Sequence, residues 1–250
     1  MPKQASDAVI LKNEPVSRDV YRLCFTAPGI ASEAKPGMFV NIDINRKGVF
    51  LRRPFGIASV SDDTLTIYYR VIGSGTKALT QCAKDDVINV LGPLGNGFPE
   101  GFNRPLLVGG GMGLAPLLFV QSFYGKKADI LMGGRNSAEL FWRELFAPIA
   151  NEVFITTDDG SLGTKGFTIN LLPQLLENKS YDAVFVCGPE IMMRGVADIC
   201  AKANVACYVS LEKRMACGLG ACLSCSCDKK DGSRAKICKD GPVFLAGEVF

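Results

Sequence analysis

The sequence predicts three units in series: a small antiparallel β-barrel, an open parallel-sheet α/β domain, and a short cysteine-rich loop segment. Three observations predict this order. Short strand-like runs broken by proline and glycine fill the chain to about residue 102; strand-like and helical runs then alternate; and five of the ten cysteines fall between Cys217 and Cys238. A chain of 250 residues, 48% hydrophobic, is also near the size at which a single core stops growing.

The barrel is read from residues 20–25, 38–44, 65–72 and 87–91, which alternate or are rich in β-branched and aromatic side chains. Pro28-Gly29, Pro36-Gly37 and Gly92-Pro93 punctuate them. The α/β domain is read from buried-strand patterns at 105–109, 129–132, 153–157 and 183–187, with helical patterns at 114–123, 138–146 and 190–203. The expected boundaries are 1–102, 103–212 and 213–250. The last segment has little periodicity, so something other than a hydrophobic core is expected to hold it.

Composition excludes several classes. There is no histidine, so histidine acid–base catalysis and histidine metal ligation are ruled out. With 28 basic and 25 acidic residues and no basic stripe, the chain does not read as a nucleic-acid binder. The longest apolar stretch, 105–120, holds four glycines and two prolines and is too short to span a membrane. Without an apolar leader, the cysteines point to a reducing cytoplasm and a metal site rather than a disulfide framework.

Cys217, Cys222, Cys225 and Cys238 give C-x4-C-x2-C-x12-C, whose first three positions have the plant-type 2Fe–2S spacing. Gly218, Gly220 and Ala221 let a loop wrap a cluster closely and aim backbone N–H groups at its sulfurs. A structural zinc site, the bland alternative, usually pairs two short cysteine knuckles, and only one is present. Cys227 is an extra thiol, read as supporting rather than ligating.

In the barrel, Arg53, Pro54, Phe55 and Gly56 follow a strand. An arginine on a barrel edge can hold a flavin pyrophosphate by charge-assisted hydrogen bonds, and the proline stiffens the segment against the flavin ring. Tyr68, Tyr69 and Arg70 offer stacking aromatics and a second charge. Gly75 and Thr76 open a short helix whose N-terminus is a phosphate seat. In the α/β domain, Gly109, Gly110, Gly111 and Gly113 form a glycine turn between a strand and a helix, suited to a dinucleotide. Cys187, Gly188 and Pro189 end a later strand at the edge where open α/β sheets bind ligands. Asp158 can accept hydrogen bonds from an adenosine ribose, which favours NAD over NADP; Arg135 nearby pulls the other way.

Together these motifs resemble the ferredoxin-reductase family. Met215 to Cys222, the Cys225-Ser-Cys227 step and Cys238-Lys-Asp-Gly-Pro-Val-Phe244 sharpen the resemblance to electron-transfer subunits of class 1B dihydroorotate dehydrogenases, over essentially the whole chain. The resemblance implies FAD in the barrel, a 2Fe–2S cluster on the four cysteines, and NAD as electron acceptor. It also implies a separate FMN-containing catalytic subunit that oxidises dihydroorotate, two of each chain forming a heterotetramer. A cluster loop beside the flavin domain would form the docking face, with Met215, Leu219 and Leu223 either in that interface or in local packing. Where this family usually has serine, the chain has Gly56, leaving a backbone N–H or Ser59 to meet the flavin there. Alternative readings are the small subunit of a ferredoxin:NADP transhydrogenase or a sulfide dehydrogenase, and, from another class, a non-catalytic zinc-binding module.

Overall fold

A computed structural model describes residues 3–44 and 48–250. Seven strands make the N-terminal sheet: β1 (Gln4–Ser17), β2 (Val20–Thr26), β3 (Phe39–Asp43), β4 (Arg53–Gly56), β5 (Ser59–Ser61), β6 (Thr64–Arg70) and β7 (Val87–Leu94). Their order is β4-β3-β7-β1-β2-β6-β5, with every pair antiparallel. One run of chain curls this sheet into a barrel. β4 pairs with β3, the Ile57 N–H still donates to the Met38 carbonyl at 3.1 Å, and the Ala58 N–H switches to the Thr66 carbonyl at 2.9 Å before β5 pairs with β6.

Ile10, Leu23, Phe25, Ile42, Ile67 and Tyr69 fill the barrel. Two short helices, α1 (Pro28–Ala31) and α2 (Ser74–Leu79), sit in its connections. The longest strand, β1, had no sequence prediction. It carries charges and Pro15 and bulges at two places while passing from β7 to β2, so its alternation is broken where it bends.

The second sheet contains β8 (Pro105–Gly110), β9 (Asp129–Gly134), β10 (Val153–Thr157), β11 (Thr164–Lys165), β12 (Ala183–Cys187) and β13 (Ala206–Ser210), all parallel. The central strands are buried on both faces and read as near-continuous apolar runs. Helices α3 (Leu114–Tyr124) and α4 (Trp142–Phe146) pack one face; α5 (Thr168–Asn178) and α6 (Glu190–Lys202) pack the other. The helix expected over 138–146 is a single tight turn at Ser137–Glu139 followed by α4, because Glu139 turns back to bond with Arg135 and Trp142 drops into the core. No helix is expected from the sequence over 168–178, where Pro173 lies inside α5; the Asn170 side chain nevertheless caps its start by accepting the Phe167 N–H at 2.8 Å.

The C-terminal segment differs from expectation. A small hairpin, β14 (Ser226–Asp228) with β15 (Arg234–Lys236), is followed by β16 (Val243–Leu245), which adds an antiparallel edge strand to β13, and by α7 (Ala246–Val249). The second sheet is therefore mixed rather than purely parallel. The segment does have a hydrophobic core, borrowed from its neighbour: Cys225, Ala235, Ile237, Cys238, Phe244 and Ala246 are buried in the same cluster as Val184, Val196 and Val209. No helix among the described residues is long and apolar enough to cross a membrane.

Asn96 ties this segment to the barrel. Its side chain donates to the Asp240 carbonyl at 3.0 Å and accepts the Val243 N–H at 3.2 Å, while its own N–H donates to the Gly241 carbonyl at 2.7 Å. Asn96→Ala removes the two side-chain bonds, an expected loss of roughly 1–2 kcal/mol. The thermal unfolding midpoint should drop by several degrees, measured by scanning calorimetry against the unchanged chain.

Candidate functional site

A cavity of about 260 Å³ opens between the barrel and the α/β domain, with Pro54, Gly56, Tyr68, Arg70, Pro116 and Met215 among its walls. The barrel side is the closing strand run and β6. The period of two divides the three β6 candidates. Tyr68 turns toward the α/β domain and meets Trp142 edge-on at 5.0 Å, and Arg70 lies beside Asp19, Nε to Oδ2 3.4 Å. Tyr69 turns into the barrel, stacks on Tyr21 at 5.5 Å and donates its hydroxyl to Asn13 Oδ1 at 3.0 Å. Phe55, half-buried, packs on the Tyr69 ring at 5.9 Å against the barrel core, and both residues also reach the cavity wall.

Arg53 and Gly75, far apart in sequence, meet. A Cβ on Gly75 would lie 2.4 Å from Arg53 Nε, so the guanidinium rests against the first turn of α2 only because residue 75 has no side chain. The Thr76 hydroxyl is engaged locally: it accepts the N–H groups of Ile72 and Gly73 at 3.0 and 3.2 Å and so caps its own helix. Arg52, the other arginine of the pair, is structural, donating to the Asn89 side chain at 2.6 Å and to the Asn89 carbonyl at 3.1 Å. At Gly56 a Cβ would stand 3.1 Å from Pro116 Cβ, so the family's serine would press on the start of α3.

The glycine turn after β8 and the end of β12 form the next part of the site. Gly109 and Gly113 serve packing: a Cβ would be 2.4 Å from Leu114 at the first and 2.3 Å from the Cys187 carbonyl at the second. Gly110, Gly111, Gly188 and Pro189 line a large cavity of about 740 Å³. Cys187 is buried, and desolvation, aided by the Glu212 carboxylate, pushes its thiol up, so it stays protonated. A second cavity, about 540 Å³, lies at the carboxyl ends of β9 and β10, lined by Gly134, Arg135, Glu139, Thr156, Asp158 and Thr168 among others. The buried hydroxyls of Thr156 and Thr168 have no partner in the protein, which suits a polar ligand here. Asp158 is exposed on the rim, whereas neighbouring Asp159 is used in a turn, accepting the Ser161 N–H at 2.9 Å.

The four cysteines expected to bind metal come together as two pairs, Cys217 with Cys222 and Cys225 with Cys238. Among the described residues no three ligand side chains converge as they would on one ion. Two thiol pairs suit two irons, each with two protein sulfurs. Backbone N–H groups already point at the sulfurs: Leu219 and Cys222 to Cys217 at 3.3 and 3.4 Å, Gly220 to Cys238 at 3.0 Å, and Cys238 to Cys225 at 3.4 Å. Gly218 and Gly220 both have positive φ, +71° and +81°, which makes this loop path possible. The Ser224 hydroxyl and backbone N–H groups lower the Cys222 thiol to about 6; burial and the Cys225 thiol push Cys238 up to about 12. Cys227 lies in β14, half-buried, lining the large cavity with Cys225 close enough to act on its thiol.

Sequence reasoning did not single out Pro116, Glu139, Thr156 or Thr168. The two threonines have a weak signal, being polar residues at a strand end and a helix start. Pro116 and Glu139 have none, because only the fold brings them to the cavities.

A barrel joined to an α/β sheet, with cavities at their junction and at the sheet's carboxyl edge, defines an oxidoreductase of the ferredoxin-reductase fold. The chain is 30% identical to, and superimposes with a TM-score of 0.86 on, a solved NADH-dependent reduced ferredoxin–NADP oxidoreductase studied for flavin-based electron bifurcation, covering 97% of this chain and 89% of that one. More distantly, a Neisseria gonorrhoeae ferredoxin NADP⁺ reductase with bound FAD and NADP shares the fold at TM-score 0.65 and 17% identity, over 84% of this chain and 94% of the other. Residues 212–250 match the model of the iron–sulfur cluster binding domain of dihydroorotate dehydrogenase B. The electron transfer subunit of dihydroorotate dehydrogenase B (NAD⁺) from Caldanaerobacter subterraneus subsp. tengcongensis is 40% identical, with 97% of each chain covered; that of Fusobacterium nucleatum subsp. nucleatum is 35% identical over the same share. The chain belongs to this family of dihydroorotate dehydrogenase B electron-transfer subunits.

Gly75→Ala tests the sequence expectation that Arg53 holds a flavin pyrophosphate. The clash falls on the mobile end of a side chain, so the fold should survive with an unchanged unfolding midpoint for the flavin-free chain. Arg53 must leave its place, and flavin affinity measured by fluorescence titration should fall roughly tenfold, the worth of one charge-assisted hydrogen bond.

Proposed function

We propose that the chain carries FAD at the barrel junction and a 2Fe–2S cluster in its C-terminal segment, and passes electrons from the FMN of a dihydroorotate-oxidising catalytic subunit to NAD⁺ in pyrimidine biosynthesis. When bound, these groups supply single-electron transfer and hydride exchange; the protein supplies position and electrostatics. One observation carries the reading. Asn41 donates to the Ala216 carbonyl, next to Cys217, at 3.4 Å, and Asn41 is the cross-strand partner of Pro54. The cluster loop and the flavin motif are thereby held on one pair of barrel strands.

In this reading Arg53 and the α2 start hold the flavin pyrophosphate, while Pro54, Gly56, Tyr68 and Arg70 face the ring and ribityl side. Tyr69 and Phe55 support from inside the barrel. Gly110, Gly111, Gly188 and Pro189 receive the nicotinamide nucleotide, Gly109 and Gly113 permit the close packing beneath it, and Asp158 meets the adenosine ribose. Cys187 remains a neutral thiol against the flavin cavity. Cys217, Cys222, Cys225 and Cys238 hold the cluster. The domain limits 1–102, 103–212 and 213–250 follow this division of labour, although β16 returns to the second sheet.

An electron-transfer subunit works with a catalytic partner, and we assign the assembly as two of each chain. Leu219 and Leu223, 45% and 61% exposed beside the exposed Cys222, support a docking face at the cluster loop. All ten cysteines are free of disulfides, which supports a reducing cytoplasm. The likeness to the ferredoxin–NADP oxidoreductase favours a second reading, transhydrogenation with ferredoxin; dihydroorotate-dependent NAD⁺ reduction with the partner separates the two.

The direct test is Cys238→Ser. The unchanged chain should contain about two irons and two sulfides per flavin. The variant should lose iron and sulfide, retain flavin and NADH oxidation by an artificial dye, and lose dihydroorotate-dependent NAD⁺ reduction in the reconstituted complex. Retained NAD⁺ reduction without the cluster would overturn the reading. Separately, Leu223→Asp should weaken assembly about tenfold or more, the scale of a central interface residue, read as dissociation on size-exclusion chromatography with flavin and iron content unchanged.

A further inference from the structure

The cavity over β9 and β10 contains an arrangement that the general reading does not use. Two cations, Arg70 and Arg135, are among its lining residues. Arg70 is beside Asp19. Arg135 is 76% exposed, well placed to grip a phosphate, yet its guanidinium is held by Glu139, whose side chain is only 18% exposed. Arg135 Nε donates to Glu139 Oε1 at 2.7 Å, its Nη2 makes a second contact with the same oxygen, and the Arg135 backbone N–H donates to Oε2 at 3.0 Å. Asp158 lies on the rim of the same cavity. The carboxylates of Glu139, Asp19 and Asp158 all act on Arg135.

An exposed ion pair adds little to stability, so its position over the cavity matters more than its strength. A free guanidinium would take a phosphate in a paired, charge-assisted grip. Here that grip is already occupied, and an incoming phosphate would also meet the carboxylates of Glu139 and Asp158. An unphosphorylated ribose brings hydroxyl donors, which a carboxylate accepts. Rejection of a competitor by a like charge is as effective a source of specificity as attraction of the correct ligand.

We infer that Glu139 is a specificity-determining residue: by occupying Arg135 it makes the chain select NAD(H) over the 2′-phosphorylated nucleotide. This rests on the reading of the cavity as the adenosine end of the nicotinamide nucleotide site. Neither Arg135 nor Asp158 alone decides the preference, since the arginine is silenced and the aspartate sits at the edge.

The experiment uses the full, cofactor-loaded chain and Glu139→Gln, which keeps an oxygen for the Arg135 N–H but removes the charge. Two readouts are taken: the ratio of kcat/KM for NADPH to that for NADH with an artificial dye, and the affinities for 2′-phospho-ADP-ribose and ADP-ribose by calorimetry. Both ratios should shift toward the 2′-phosphorylated ligand by roughly tenfold to hundredfold, the value of hydrogen bonds to a charged group. The double variant Glu139→Gln/Arg135→Ala should lose the gain. An unchanged ratio in a folded Glu139→Gln chain, checked by flavin spectrum and unfolding midpoint, would reduce the pair to a turn-forming contact and overturn the inference; so would a gain that persists in the double variant. If Glu139→Gln does not fold, Glu139→Ala is read the same way. Failure of the site reading itself is distinct: ADP-ribose would then fail to bind the unchanged chain, or Asp158→Ala would leave its affinity unmoved.

Discussion

The return of the chain to the second sheet is the constraint on which the rest depends. After the cysteine loop, residues 241–245 run back between the barrel and the α/β domain. Gly241 and Val243 are bonded to Asn96 on the barrel side, the Leu211 N–H donates to the Pro242 carbonyl at 2.9 Å, and β16 pairs with β13. A Cβ on Gly95 would lie 2.6 Å from the Gly241 carbonyl, so barrel and segment are in backbone contact. Without that return the loop of four cysteines would hang from a single connection. With it, the loop is fixed at both ends, and its buried members, Cys225 and Cys238, share the hydrophobic cluster of the α/β domain.

The two ends of the second sheet do different work. At the amino end Asp129 is fully buried and satisfied. It accepts the Tyr181 hydroxyl at 2.6 Å, the Asn151 side chain at 2.8 Å and the Glu152 N–H at 3.1 Å, with Arg104 and Lys179 at 3.8 and 3.7 Å. That network needs every member, since a buried carboxylate left unpaired is costly. At the carboxyl end the polar groups are left open: orphan hydroxyls on Thr156 and Thr168, a glycine turn, and carboxylates on the rim. Polar groups unsatisfied by protein at one edge and fully satisfied at the other mark which edge receives a ligand.

The sequence made the order of units, most central strands and the cysteine spacing legible because each rests on local pattern. The sequence pattern gives the bounds of β10 and β12: β12 is a short apolar run buried throughout, and β10 is a β-branched and aromatic run, half-buried until its last two residues. Strand β1 was not legible, because its bulges and Pro15 break the alternation, nor was α5, because an internal Pro173 argues against a helix whose apolar spacing is otherwise regular. The site was legible wherever backbone demands small residues, as at Gly75 and Gly220. It was illegible where a side chain acts through a distant neighbour. Tyr68, Tyr69 and Arg70 read as one motif, yet strand geometry sends the middle ring into the barrel. The borrowed core of the last segment was likewise hidden, since its partners lie on β12, β13 and α6.

This chain's own chemistry is mostly that of placement. It has no histidine, and its buried cavity thiol, Cys187, is kept protonated by desolvation. What the protein can vary is distance, access and charge. Distance is set by Asn41, which joins the cysteine loop to the strand opposite Pro54. Access is set by Gly56 against Pro116, where even one added carbon would press on the start of α3. Charge is set by pairs such as Arg135 with Glu139, far from any bond that changes. If the cavity over β9 and β10 takes the adenosine end, as proposed, selectivity for the nucleotide can be altered there without moving the barrel strands next to the cysteine loop. The fold separates the two tasks because the closing strand run belongs to the barrel while β9 and β10 belong to the other sheet.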